Sequence, residues 1–267
     1  MVERISELRE ICQGTRETVY FKMPWFPKHV TRRISIYFTK LCLKIGISAN
    51  QASIISLIFL IAGGVFLIFS DPRFWFIGIF LCFVYRTFDC VDGEIARYNK
   101  SSSLGGKHLD SGIGSFATPY ILACMTLGTY NSLHSSTVFI FGLLAVIAVA
   151  LSRILALQLL AVVHREGLFP DRVDMPSKEP GMIHFGRIAY QVFLGARGVQ
   201  LLPQLLVVAA IDCFVSPFTI LSLGFNARLI YLVLVALATS VGVSVKAYYD
   251  ITSYGKISSG EQPQKWE

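Results

Sequence analysis

Apolar runs of about 20 residues, the length that crosses a bilayer as a helix, recur along most of this 267-residue chain. In lipid every backbone polar group must find its partner within the segment, so a chain built of such runs folds as helices. Composition agrees: 54% of the residues are hydrophobic and 15% charged, where a soluble domain carries about a quarter charged. The expected fold is all-α, a polytopic membrane protein with six transmembrane helices at about 47–70, 74–91, 109–130, 137–163, 198–214 and 229–249. Arg86 and Asp89 interrupt the second span, Arg153 lies in the fourth and Pro203 in the fifth. A proline is tolerated there where neighbouring helices take up the freed carbonyl.

Orientation follows from Lys and Arg asymmetry. Twenty of these residues fall before the first span, in the second and fourth connections, and after the sixth span; the opposite loops hold only Arg73 and Arg228. Both termini and the even-numbered connections are therefore expected in the cytoplasm of a multi-pass cell-membrane protein. The net charge of +7 is then a topology signal and an attraction for anionic lipid headgroups. No aromatic-basic module for nucleic acid is visible. The N-terminal stretch is polar and mixed in charge, so no cleavable signal peptide is expected. The six cysteines form no C-x-x-C pair, which argues against a zinc site or a disulfide framework.

Residues 1–27 read as a cytoplasmic lead and 251–267 as a cytoplasmic tail. In between, "KHVTRRISIYFTKLCLKIG" places Ile34, Tyr37, Phe38, Leu41 and Ile45 on one face at helical spacing, with Arg32, Arg33, Lys40 and Lys44 mainly around the rest. This is the pattern of an N-terminal interfacial amphipathic helix. Ser48 or Asn50 caps the first span, and "SDPR" at 70–73 is a turn. The longest connection, 164–187, is expected to be ordered near the site, with a flexible linker as the alternative.

The segment "FDCVDGEIARYNKSSSLGGKHLDSGIG", residues 88–114, keeps several acids beside hydrocarbon. Asp89 and Asp92 lie about 60° apart on a helix. Each ionised group inside a span costs roughly 2.5–3.5 kcal/mol on insertion scales, so the pair calls for a cation or a wet cavity. Hard divalent cations prefer carboxylate oxygens. Gly93 lets a ligand approach the backbone, Arg97 offers a fork to phosphate, and Asp110 can add a third carboxylate. Three acids, a glycine and an arginine at a membrane surface point to metal-held phosphate. A helix end with solvated charges is the bland alternative.

Asp89, Asp92, Gly93, Ala96, Arg97, Gly106 and Asp110 spell D-x2-D-G-x2-A-R-x8-G-x3-D, seven set positions over 22 residues. This closely resembles the signature of the CDP-alcohol phosphotransferases, six-span membrane enzymes. They move a substituted phosphoryl group from a CDP-linked donor to an acceptor alcohol and release CMP. The resemblance makes 28–250 a CDP-alcohol phosphotransferase-like membrane domain. It implies that Asp89, Asp92 and Asp110 ligate Mg2+ or Mn2+. It also implies that Gly93, Ala96 and Gly106 leave room for the nucleotide, with Arg97 nearby. A lipid or alcohol acceptor, membrane lipids and a homodimer partner are the expected associations.

One position departs from the pattern. The family signature continues x3-D, and that aspartate is its usual general base and a metal ligand; here the position is Gly114. His108 is the nearest titratable candidate for the base, on a different helix face from Asp110. The alternatives are an acceptor that arrives already ionised, or a degenerate member that binds nucleotide or lipid without turnover. Glu94 points off the ligand face. Lys107 shares the face of Asp110 and could bind phosphate. Arg153, expensive inside a span, is expected to meet an anionic acceptor group, with an internal ion pair as the bland reading. Arg187 and Arg197 are weaker acceptor-side candidates. A transporter is disfavoured, since no pair of Gly/Pro-interrupted helices marks a midplane site.

Overall fold

Short polar signals set the ends of the long helices. Ser48 opens one: its hydroxyl accepts from the Gln51 N–H at 3.3 Å, and Gln51 Oε1 accepts from the Ser48 N–H at 2.9 Å, a reciprocal capping box. Asp71 caps the next through the Arg73 N–H at 2.8 Å, with Pro72 in the first turn, where its missing N–H is harmless. Ser103 caps a third through the Gly106 N–H at 3.0 Å.

The computed structural model describes residues 3–14, 26–101 and 103–165, together with 204, 205, 207, 208, 228 and 230–238. Its helices are α1 (Ile5–Gln13), α2 (Arg32–Ile45), α3 (Ala49–Leu67), α4 (Pro72–Tyr98), α5 (Leu104–Leu133) and α6 (Ser136–Arg165), with one π-helical turn at Pro27–Thr31 leading into α2. Residues 230–238 are also helical, and no strand occurs among the described residues. By length and composition Ala49–Leu67, Arg73–Tyr98 and Ser136–Leu155 are able to cross a membrane. The protein is an all-α membrane protein. Most of the expected fifth and sixth spans, the connection at 164–187 beyond residue 165, and Arg187 and Arg197 lie outside the described residues.

Two differences from the sequence expectations concern α1 and the C-terminal turns of α4. The lead contains a true helix, α1, which the sequence reading treated as plain lead. The second span continues to Tyr98, so Asp92, Gly93, Ala96 and Arg97 are helical and belong to no loop.

α3 and α4 form a hairpin whose backbones touch. A Cβ on Gly63 would meet the Gly78 carbonyl oxygen at 3.0 Å, and one on Gly78 would meet the Gly63 carbonyl oxygen at 2.8 Å. Small residues at such a crossing allow the close approach that drives helix association in lipid. Leu60, Leu67, Trp75, Ile79, Cys82, Leu122 and Met125 fill the core around it. Arg228 is buried against this hairpin's turn, 3.9 Å from the Trp75 ring centroid and 3.3 Å from the Ser70 carbonyl oxygen. Arg228 and Arg73 thus share one end of the molecule, opposite the acidic end of α4.

The amphipathic helix α2 turns its apolar side outward. Tyr37, Phe38, Leu41 and Ile45 are exposed, while Ser35, Ile36, Thr39 and Cys42 face the protein. An outward row of large apolar side chains is what a helix lying in the acyl boundary requires.

Candidate active site

α4 carries acids on more than one face, and each face has its own partner. Asp92 is 6% exposed and points at α3: its Oδ2 accepts from the Ser53 hydroxyl at 2.5 Å, and its Oδ1 from the Gly93 N–H at 2.5 Å. Asp89, one turn earlier, accepts from Arg86 Nη1 in an ion pair within the same helix. Arg86 Nε is buried without a hydrogen-bond partner among the described residues. Asp110 stands exposed near the start of α5. Asp89 and Asp92 thus lie one turn apart on α4 and Asp110 near the start of the next helix, and Arg86 is a cation beside Asp89 that the sequence reading had noted only as an interruption of the span.

Glu94 has a different task. It is 1% exposed, and its carboxylate accepts from Gln13 Nε2 at 2.8 Å and from the hydroxyls of Ser35 and Thr39, each at 2.6 Å. A buried carboxylate is tolerable when several donors satisfy it. Glu94 joins α1 and α2 to α4, as its position off the ligand face allowed.

Arg97 is exposed, and its Nε donates to the Cys12 carbonyl at the end of α1. Its guanidinium lies along Gly93, where a Cβ would meet the two terminal nitrogens at 3.3 and 3.6 Å. Ala96 is half-buried on the same helix. At Gly106 a Cβ would meet Ser103 Oγ at 3.0 Å and Asn50 Oδ1 at 3.1 Å, so this glycine lets the start of α5 approach α3. Lys107 and His108 are exposed on the first turns of α5. At Gly114 a Cβ meets nothing within 4 Å among the described residues, so none of them packs against this glycine. Arg153 sits half-buried in α6.

As a donor set, three carboxylates suit a hard divalent cation. In the arrangement described, Asp89 is occupied by Arg86, and among the described residues no three His, Cys, Asp or Glu side chains stand close enough to hold an ion. The three carboxylates suit such an ion by their donor chemistry, while the described arrangement does not bring them within reach of one ion.

A family model described as CDP-alcohol phosphatidyltransferase matches residues 47–194, more than half of the chain. The chain belongs to that family. It is accordingly a membrane phosphotransferase acting on CDP-linked donors, in phospholipid synthesis. Its fold is similar to that of a solved relative, phosphatidylinositol phosphate synthase (PgsA1) of Mycobacterium tuberculosis with CDP-DAG bound. That match has 17% identity and a TM-score of 0.55, over 82% of this chain and 94% of that one. The apo form of that synthase matches at 17% identity and TM-score 0.52, over 80% of this chain and 94% of that one. Its complex with manganese and citrate matches at 18% identity and TM-score 0.53, over 82% and 90%. No curated protein matches this chain.

Within this CDP-alcohol phosphatidyltransferase, the residues that sequence reasoning missed are Ser53, Arg86 and the Gln13–Ser35–Thr39 set around Glu94. Arg86 had a legible signal, since a cation three residues before Asp89 shares its helix face. Ser53 and Gln13 had none, because neither belongs to a motif.

Proposed function

We propose that the chain transfers a phosphatidyl-type group from a CDP-linked lipid to an acceptor that carries a hydroxyl and an anionic group. What supports this reading is the motif itself in a chain of this family, with Asp89 and Asp92 one turn apart on α4, Asp110 near the start of α5, and the Arg97 guanidinium lying along Gly93. The relative whose structure holds CDP-DAG makes CDP-diacylglycerol the first donor to test.

In this reading Asp89, Asp92 and Asp110 would hold Mg2+ or Mn2+. When bound, the metal supplies charge neutralisation for the departing CMP. Arg97 directs two terminal N–H edges at a phosphate oxygen. Gly93 and Ala96 keep the helix surface low enough for the nucleotide. Lys107 and Arg153 attract the acceptor's anionic group. The acceptor oxygen bonds to the phosphorus that carries the diacylglycerol. The bond from that phosphorus to the bridging oxygen breaks, and the oxygen leaves with CMP. The acceptor's proton passes to His108, which stands in for the acid absent at Gly114. The active site and both termini face the cytoplasm, and the protein works as a multi-pass homodimer.

The test is CMP release from CDP-diacylglycerol in detergent with Mn2+, across a panel of candidate acceptors. Asp89→Asn, Asp92→Asn and Asp110→Asn should each abolish release while the protein stays folded. Undiminished CDP affinity in any of the three would overturn the assignment of the acids. Arg153→Lys keeps the charge and loses the fork, so the KM for the acceptor should rise while donor binding holds. An equal loss for both would make Arg153 structural.

A further inference from the structure

We infer that α1 is a positioning element for Arg97: it aims the guanidinium that meets the donor phosphate, although α1 itself lies outside the family signature. The inference rests on the reading of Arg97 just given.

Three polar ties run between α1 and the last turns of α4. Tyr98 donates its hydroxyl to Glu3 Oε2 at 2.6 Å, just before α1 begins. At its other end Arg97 Nε donates to the Cys12 carbonyl, and Gln13 Nε2 donates to Glu94 Oε1 at 2.8 Å. Between these ties Leu8 and Cys12, both 0% exposed, seat the helix against Ile36, Leu43 and Tyr98. α1 is thus fastened at both ends to consecutive turns of the helix that carries the motif.

The consequence for Arg97 is geometric. A guanidinium is planar, so fixing Nε to a backbone carbonyl fixes the direction of the two terminal nitrogens. Those nitrogens lie beside Gly93, the one position in that turn without a side chain to displace them. An exposed arginine at a helix end otherwise samples many rotamers, and ordering it on binding costs affinity. With α1 seated, much of that ordering is done before the donor arrives. The Cys12 carbonyl is also an acceptor that no substitution in α4 can supply. The site therefore depends on a segment of the chain 85 residues away from Arg97.

A double-mutant cycle tests this, with CDP plus Mn2+ as the probe and calorimetry in detergent as the readout. Gln13→Glu sets a second carboxylate against Glu94 and should unseat α1 with little change in volume. Should that variant fail to fold, deletion of residues 1–14 takes its place in the cycle. Arg97→Ala should weaken CDP binding about a hundredfold, the range for a hydrogen bond to a charged group. Unseating α1 should weaken it up to about tenfold, the scale of ordering one rotamer-rich side chain on binding. The double variant should be no weaker than Arg97→Ala alone, because α1 acts only through that side chain. Losses that add in the double variant would overturn the inference and make α1 a general scaffold, and so would undiminished affinity with α1 unseated. Undiminished affinity in Arg97→Ala would instead overturn the role of Arg97 itself, and the inference with it.

Discussion

Ser53 of α3 donates its hydroxyl proton to Asp92 of α4 across 2.5 Å, and both side chains are buried. The touching backbones at Gly63 and Gly78 set the spacing of the two helices, and Ser53 uses that spacing to hold one carboxylate of the site. Ser53→Ala should therefore leave the fold intact, costing about 1–2 kcal/mol of stability for the lost bond to a charged group. It should also lower the rate of CMP release and weaken Mn2+ binding in the presence of CDP. A variant with unchanged metal affinity would show that Asp92 is held without it.

Arg86 answers the charge of Asp89 from within the same helix. Arg86→Gln leaves Asp89 without that partner, and a mostly buried carboxylate so left is destabilising by roughly 3 kcal/mol. The metal-free variant should melt lower than wild type in detergent. With one opposing charge removed, the acids should take up Mn2+ about tenfold more tightly in the absence of nucleotide. Electron paramagnetic resonance of free Mn2+ reads this directly. Equal or weaker uptake would mean that Arg86 does not compete with the ion.

No described residue lies where a side chain at Gly114 would begin. Gly114→Asp should fold as well as wild type, since α5 need not move. A fourth carboxylate should strengthen metal binding and widen the range of acceptors to neutral alcohols. Loss of folding in this variant would point to a neighbour beyond the described residues.

His108 is exposed near the start of α5, two residues before Asp110. If it accepts the acceptor's proton, His108→Ala should lower the rate of CMP release by about 10²–10⁴ while donor binding holds. A tolerated His108→Ala would mean that the acceptor arrives already ionised.

Cys12 reports whether α1 is seated. Burial pushes its thiol up to about 11, with the Glu94 charge adding to the shift. The raised value means that the reactive thiolate is disfavoured at every pH below it, and at pH 8 only about one thiol in a thousand is ionised. Maleimide labelling of Cys12, read by mass spectrometry, should be slow at pH 8 in wild type. It should speed up in Gln13→Glu, where the thiol reaches water. Fast labelling of wild type would contradict the seat described for α1.

Much of this protein was legible from local properties of the chain. The apolar run lengths dictated helices in lipid, because an unpaired backbone there is too costly. The alternation around Ile34, Tyr37 and Leu41 marked α2, and the structure leaves that apolar side free for the bilayer. Asp89, Asp92 and Arg97 were legible because helix faces follow from spacing alone. The length of α4 was underestimated because its charged residues interrupt the apolar run, although polar residues end a hydropathy signal without ending a helix.

Tertiary structure alone decided what each charged group does. The sequence set Glu94 off the face of Asp89 and Asp92 but did not show that it ties three helices together, or that Asp92 meets α3. The difference lies in Gln13, Ser35 and Thr39 on one side and Ser53 on the other. The same holds for α1, whose short amphipathic turns acquire a role only when Cys12 and Gln13 meet Arg97 and Glu94. Spacing along a chain fixes the direction in which a side chain leaves its own helix. The partner it meets there depends on helices brought together from sequence separations of 39, 81 and 85 residues, which no local pattern encodes.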